Sequence, residues 1–192
     1  MEIRRAGLAD VPGIAMLVGR FAGRGEILPR SIEDIYQTVR EWVVAERDGQ
    51  IIGCGALVIL WADLAEIRSL VVAPEAQGEG AGRQLVNLLT AQAAELGIPQ
   101  VFALTRKTSF FLNLGFQVVP RESLPRKIWK DCITCTKFVG CDEVAVARSV
   151  PVEMMPAAQI GLAGSLALAS SGNGADLPER ARASQERRLV GP

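Results

Sequence analysis

A glycine-rich turn, Gln77-Gly78-Glu79-Gly80-Ala81-Gly82, separates an apolar strand-like run, Ile67 to Val72, from an apolar-periodic helix that begins near Arg83. Such a junction can cradle a phosphate. Glycine lets the backbone approach an anion with no Cβ in the way, and the free amides of a helix's first turn point at the ligand, assisted by the helix dipole. The plain alternative is a tight turn. Two common phosphate fingerprints fail here. A Walker motif would need Lys-Ser or Lys-Thr to close the loop, but Gly82 is followed by Arg83-Gln84. The spacing is G-x-G-x-G with a helix directly after it, not the G-x-G-x-x-G that opens a dinucleotide-binding unit.

Around this turn the chain reads as alternating strands and helices over residues 1–150, a size that suits one domain with a sizeable core. Ile3 to Arg5 is a first strand, and Asp10 to Arg20 a helix with Ile14, Leu17 and Val18 on one face. Ser31 with Asp34 three residues on predicts a capped second helix through Glu41. Val43 to Ala45 and Ile51 to Leu60 are strands joined by Asp48-Gly49, a strong hairpin signal. Leu64 to Val72 is the next strand. Leu85, Leu88, Leu89 and Leu96 recur at helical spacing up to Gly97. A short strand from Val101 to Leu104, a helix through Leu114, and strands Phe116 to Val119 and Val144 to Val150 follow. Residues 151–192, rich in Ala, Gly, Ser and Pro and without aromatics, read as a disordered tail.

Composition removes several functions. The chain has no histidine, so Ser-His-Asp and Cys-His catalysis and the His-bearing zinc motifs are out of reach. Its 21 basic residues match its 21 acidic ones, which argues against general attraction to nucleic acid. The stretch around residues 160–169 is too short to cross a bilayer. The N-terminus opens on a strand rather than a basic, apolar leader, so the expectation is a cytoplasmic protein with no membrane association. Cys132, Cys135 and Cys141 cluster, whereas Cys54 sits alone in a strand. The cluster reads as reduced structural thiols, a redox-sensitive pair, or half of a zinc knuckle that lacks its partner. No metal is expected, and Cys54 is expected in the core.

The turn also fits Q/R-x-x-G-x-G/A at Gln77, Gly80 and Gly82, and with the element order above it resembles the acetyl-CoA pyrophosphate loop of the GCN5-related N-acetyltransferases, the GNAT family. The resemblance implies an α+β acyl-CoA N-acyltransferase fold, a mixed, mostly antiparallel twisted sheet flanked by helices, with acetyl-CoA as cosubstrate. In that frame Leu70, Val71 and Val72 offer backbone amides to the acetyl carbonyl and pantetheine, and Gln77, Gly78, Glu79, Gly80, Ala81, Gly82 and Arg83 take the pyrophosphate. Arg83 adds charge there, or is simply an exposed helix arginine.

Further segments narrow the resemblance: Ile27-Leu28-Pro29-Arg30-Ser31, Ala65-Glu66-Ile67-Arg68-Ser69-Leu70, Phe102 to Thr105, Phe110 to Phe116 and Leu124-Pro125-Arg126-Lys127. They are similar to the acetyltransferase domain of bacterial N-acetylglutamate synthases, which act at the first step of arginine biosynthesis. Longer members carry a kinase-like domain that holds the arginine site, so a short, stand-alone form is implied, and the departure puts arginine feedback in doubt. The small-molecule substrate would be L-glutamate, and its two carboxylates call for arginine or lysine. Arg30, at the family's Arg-Ser position, is the first candidate. Arg68 is the second, or else forms a sheet-surface ion pair with Glu66. Lys107 and Lys127 follow, although loop lysines are usually just solvated.

Glu66 either takes the amine proton through a water or orients Arg68. The tyrosine that often protonates the thiolate in this family is replaced by Phe111, leaving solvent or Ser69 for that task and giving Phe111 a place against the pantetheine or in the core. Two other readings stay open: an acetyltransferase for a different amine, such as another amino acid, a polyamine or a protein N-terminus, and a non-catalytic acetyl-CoA sensor. Dimers are common among relatives, so a homodimer is expected by association alone.

Overall fold

Asp48 and Gly49 turn the chain with both residues in the left-handed region, at φ 52° and 76°, the two-residue geometry that matches the twist of paired strands. They join β2 (Trp42–Arg47) to β3 (Gln50–Trp61). The computed structural model describes residues 1–124 and 140–152. The remaining strands are β1 (Glu2–Arg5), β4 (Leu64–Val72), β5 (Gln100–Thr105), β6 (Gln117–Val118) and β7 (Val144–Ser149), and the helices are α1 (Val11–Ala22), α2 (Ile32–Gln37), α3 (Ala81–Glu95) and α4 (Thr108–Leu112). The strands form one sheet in the order β1-β2-β3-β4-β5-β7-β6. Every neighbouring pair is antiparallel except β4 and β5. A parallel pair needs a crossover connection, and the segment that carries α3 supplies it.

Alternation along the strands loads both faces of the sheet. Val43, Ala45, Leu57, Ala65 and Ile67 pack with Leu85, Val86 and Leu89 of α3 on one face. Val44, Cys54, Ala56 and Val71 pack with Ile14, Leu17, Val18 and Phe21 of α1 and Ile35 of α2 on the other. Cys54 is fully buried, and burial pushes its thiol pKa well above the ordinary value. A third cluster joins Leu64, Phe102 and Leu124 to Ala145 and Ala147 of β7.

Helix α1 closes with the Gly25 amide bonded to the Ala22 carbonyl and the Glu26 amide to the Phe21 carbonyl. Gly25 has φ 69°, the left-handed stop of a Schellman motif. Ser31 caps α2 by accepting from the Asp34 amide at 3.0 Å. The α-helix ends at Gln37, short of the expected Glu41, and a 3₁₀ turn covers Val39–Glu41. Two neighbouring β-branched residues, Thr38 and Val39, weaken the helix there. The Thr38 hydroxyl donates to the Asp34 carbonyl at 2.7 Å and accepts from the Trp42 indole at 3.1 Å, which ties the helix end to the start of β2. The strand expected from Phe116 to Val119 is confined to Gln117–Val118.

Arg4 of β1 forms two ion pairs, with Asp10 at 2.6 Å and with Glu46 of β2 at 2.6 Å. Asp10 is buried and also accepts from the Gly7 amide at 2.7 Å. The hydrogen bonds from Arg4 hold the Asp10 carboxyl below its ordinary pKa. Removing one partner of a buried pair costs roughly 3–5 kcal/mol, and the partial exposure of Arg4 lowers the expectation for Arg4→Ala to about 2 kcal/mol. Because the folded pKa of Asp10 is depressed, this stabilisation is complete above its unfolded value near about 3.9 and fades as pH falls through the folded one. Urea unfolding should therefore separate wild type from Arg4→Ala at pH 7 and bring them together at strongly acidic pH. An equal gap at both would show that the Asp10 charge is not involved.

Candidate active site

Strands β4 and β5 pair only at Ala65 with Val101 and Glu66 with Phe102. Beyond those residues β4 stays with β3 as far as Val72, and β5 stays with β7 as far as Thr105, so the sheet splits into a wedge. At the split, Cys54 pairs with Val71 and Ala56 with Arg68, which leaves Gly55 facing both Ser69 and Leu70. This is a β-bulge, and it takes residues out of the regular ladder. Ser69 has φ 53°, a left-handed conformation that costs a non-glycine residue roughly 1–3 kcal/mol and that clusters at functional sites. The wedge opens a cleft of about 870 Å³, large enough for a small-molecule site.

The glycine-rich turn forms one end of this cleft. The Gln77 side chain donates to the Val72 carbonyl at 3.0 Å, which pins the turn to the end of β4. Gly78 and Gly80 lie at φ 85° and 87°, and Gly80 caps α3. Ala81, Gly82 and Arg83, whose amides belong to the first turn of α3 and lack intrahelical acceptors, line the cleft with Gln77, Gly78 and Gly80. A Cβ on Gly82 would stand 3.3 Å from the Phe110 ring, so backbone closely approaches a flat apolar wall. This cradle of amides, glycines and one arginine fits a pyrophosphate. Glu79, expected among the cofactor residues, does not line it. Its carboxylate pairs with Arg47 of β2 instead.

The other end of the cleft is rich in charge. Glu66 is only 3% exposed yet lines the cleft with Arg68, Ser69, Leu70, Val71 and Val72. Arg30 comes from the α1–α2 connection, and Arg30 and Arg68 also border a side pocket of about 170 Å³ together with Asp34, Thr38 and Glu41. Arg30 and Arg68 therefore border one corner of the cleft. Arg83, Arg106, Lys107 and Arg121 join them on the cleft wall against three carboxylates, Glu26, Glu66 and Glu143. Cations outnumber anions two to one among the described residues of the wall, which favours anionic ligands.

A family model for the acetyltransferase (GNAT) family matches residues 20–116. An uncharacterised N-acetyltransferase of Chlorobaculum tepidum is 40% identical over 148 residues, 77% of this chain and 96% of that one. The chain belongs to the GNAT family. An amino-acid acetyltransferase of Mycobacterium tuberculosis is 42% identical over 132 residues, 67% of this chain and 75% of that one. The N-acetylglutamate synthase of Neisseria gonorrhoeae, crystallised with coenzyme A and N-acetyl-glutamate, superposes with a TM-score of 0.67 at 31% identity. That match covers 78% of this chain and 35% of the synthase. The α+β acyltransferase fold is thus the one present, and acetyl-CoA is the cosubstrate of this GNAT enzyme.

Within the GNAT frame, the structure brings together nearly all of the residues expected from sequence. Phe111 reaches the cleft but is 4% exposed, held edge-on between Phe110 and Phe116 at centroid distances of 5.1 Å. Phe110, not Phe111, is the ring against Gly82. Lys107 lines the cleft, and its amide donates to the Thr105 hydroxyl at 2.9 Å. Lys127, Cys132 and Cys135 lie outside the described residues, as does nearly all of the expected tail. Cys141 is half-buried, with its Sγ 3.4 Å from Arg121, which also donates to the Glu143 carbonyl at 2.6 Å. Sequence reasoning missed Arg106, Arg121, Cys141 and Glu143. The last two reach the cleft because β7 pairs with β5, and no local pattern encodes that pairing.

Proposed function

We propose that this enzyme transfers the acetyl group of acetyl-CoA to the α-amine of L-glutamate, with residues 1–150 as the catalytic unit. The observation that carries the reading is the shared corner of Arg30 and Arg68 beside the buried Glu66. Two guanidinium groups suit a substrate with two carboxylates, because each can form bidentate, charge-assisted hydrogen bonds. A polyamine would call for the opposite wall charge. The gonorrhoeal synthase, crystallised with N-acetyl-glutamate, supports the same substrate class.

The chemistry needs positioning more than a protein nucleophile. The cradle of Gln77, Gly78, Gly80, Ala81, Gly82 and Arg83 holds the diphosphate, and the β4 backbone from Leu70 to Val72, beyond its ladder with β5, holds the acyl arm. Acetyl-CoA supplies the activated thioester. Glu66 accepts the proton that the attacking amine releases as the new C–N bond forms. The C–S bond breaks, and the departing sulfur is protonated by the Ser69 hydroxyl, which recovers its proton from solvent. The strained bulge sets Ser69 in the cleft wall for this step.

Arg30→Ala tests the assignment. It should raise the glutamate KM by about tenfold or more, as expected for the loss of a charge-assisted contact, and leave the acetyl-CoA KM within about twofold. Unchanged glutamate kinetics would move the substrate site elsewhere.

A further inference from the structure

Arg106, immediately beyond the end of β5, is a cleft residue to which the acyl-transfer chemistry gives no work. Its guanidinium is held from two sides. Nε donates to Asp142 at 2.9 Å, and Nη1 donates to the Gly25 carbonyl at 3.0 Å. These partners belong to opposite halves of the split sheet. Asp142 lies just before β7, which pairs with β5. Gly25 lies in the connection between α1 and α2, and both helices pack on the β2–β4 half through Val44, Cys54, Ala56 and Val71. Arg106 therefore crosses the mouth of the wedge where no β4–β5 ladder holds it together.

The connection that it grips carries Glu26, Ile27, Leu28 and Arg30 into the cleft. A planar guanidinium can satisfy acceptors along two edges at once without internal rotation, which an ammonium cannot match. The left-handed Gly25, at φ 69°, marks where the chain turns out of α1, and its carbonyl is the one taken by Arg106.

We propose that Arg106 is a positioning residue: it latches the α1–α2 connection to the β5–β7 half of the sheet, and so fixes the amino-acid end of the cleft without touching the reacting atoms. The effect on catalysis rests on the amino-acid substrate proposed above, whereas the latch itself does not. Asp142 orients the fork, and the Gly25 carbonyl receives it.

Hydrogen exchange and steady-state kinetics on the full chain test this with Arg106→Gln, Arg106→Lys and Asp142→Asn. Arg106→Gln should speed exchange of the amides in residues 23–30 by about tenfold, while amides in the centre of α3 keep their protection. It should raise the amino-acid KM by about tenfold and leave kcat and the acetyl-CoA KM within about twofold. Arg106→Lys should not rescue, and Asp142→Asn should shift both readouts the same way by about threefold. Unaltered exchange at residues 23–30 in Arg106→Gln would overturn the latch. So would a lower amino-acid KM in Asp142→Asn, the result expected if Arg106 bound the substrate carboxylate in competition with Asp142. A wild type inert toward every amino acid would defeat the substrate reading alone, and the exchange comparison would still decide the latch.

Discussion

Gly80→Val is expected to remove measurable acetyl-CoA binding while leaving the protein folded. Gly80 sits at φ 87° as the cap of α3, a region in which a β-branched residue is strained by more than the roughly 1–2 kcal/mol of an ordinary side chain. A Cβ there would meet nothing nearer than the Gln84 side chain at 4.0 Å, so packing within the protein does not forbid the substitution. Strain does. The turn would relax toward negative φ, and the first-turn amides of α3 would rotate away from the diphosphate as a valine side chain entered the cradle. The loss should exceed about a hundredfold in acetyl-CoA affinity, since several charge-assisted hydrogen bonds go together, with a fall of only a few degrees in Tm. Gly80→Asn, which tolerates the left-handed region, should keep part of the binding. Calorimetric titration with coenzyme A separates the cases, and an unimpaired Gly80→Val would place the diphosphate elsewhere.

Glu66→Gln carries the second large effect. The substitution keeps the shape of a buried side chain on β4 and removes its capacity to accept a proton. General base catalysis contributes roughly 10²–10⁴ in rate, so kcat should fall by at least about a hundredfold, with the acetyl-CoA KM within about twofold. Glu66→Asp should restore only part of the rate, because its carboxylate lies one carbon short of the amine. A Glu66→Gln enzyme within about threefold of wild-type kcat would show that the proton leaves by another route and that Glu66 serves to hold its neighbours.

What could be read from the residues was what short stretches encode. Asp48-Gly49 announced its hairpin, Ser31 its helix start, and Gly78 and Gly80 their turn, because each is a local conformational demand. The helical spacing of Leu85, Leu88 and Leu89 marked α3 for the same reason. Glu79 shows where this fails: its place in the glycine-rich turn suggested ligand contact, but a partner distant in sequence, Arg47, takes its carboxylate. Phe110 and Phe111 differ by one helical position, and only the packing of α4 on β6 and β7 decides which ring is core and which is wall. The bulge at Ser69 depends on the register against Gly55, and Arg106 reaches Gly25 only because the sheet brings distant segments to one mouth. Cleft residues near the glycine turn were therefore legible, and those supplied by β7 and the turn before it were not.

Acetyl transfer to glutamate is read out by release of the coenzyme A thiol from acetyl-CoA by the purified protein, with glutamate, glutamine, aspartate, lysine, spermidine or no acceptor. Turnover should be well above the blank with glutamate, weaker with aspartate and absent with spermidine. Turnover confined to spermidine or lysine, or none with any acceptor despite coenzyme A binding, would contradict acetyl transfer to glutamate.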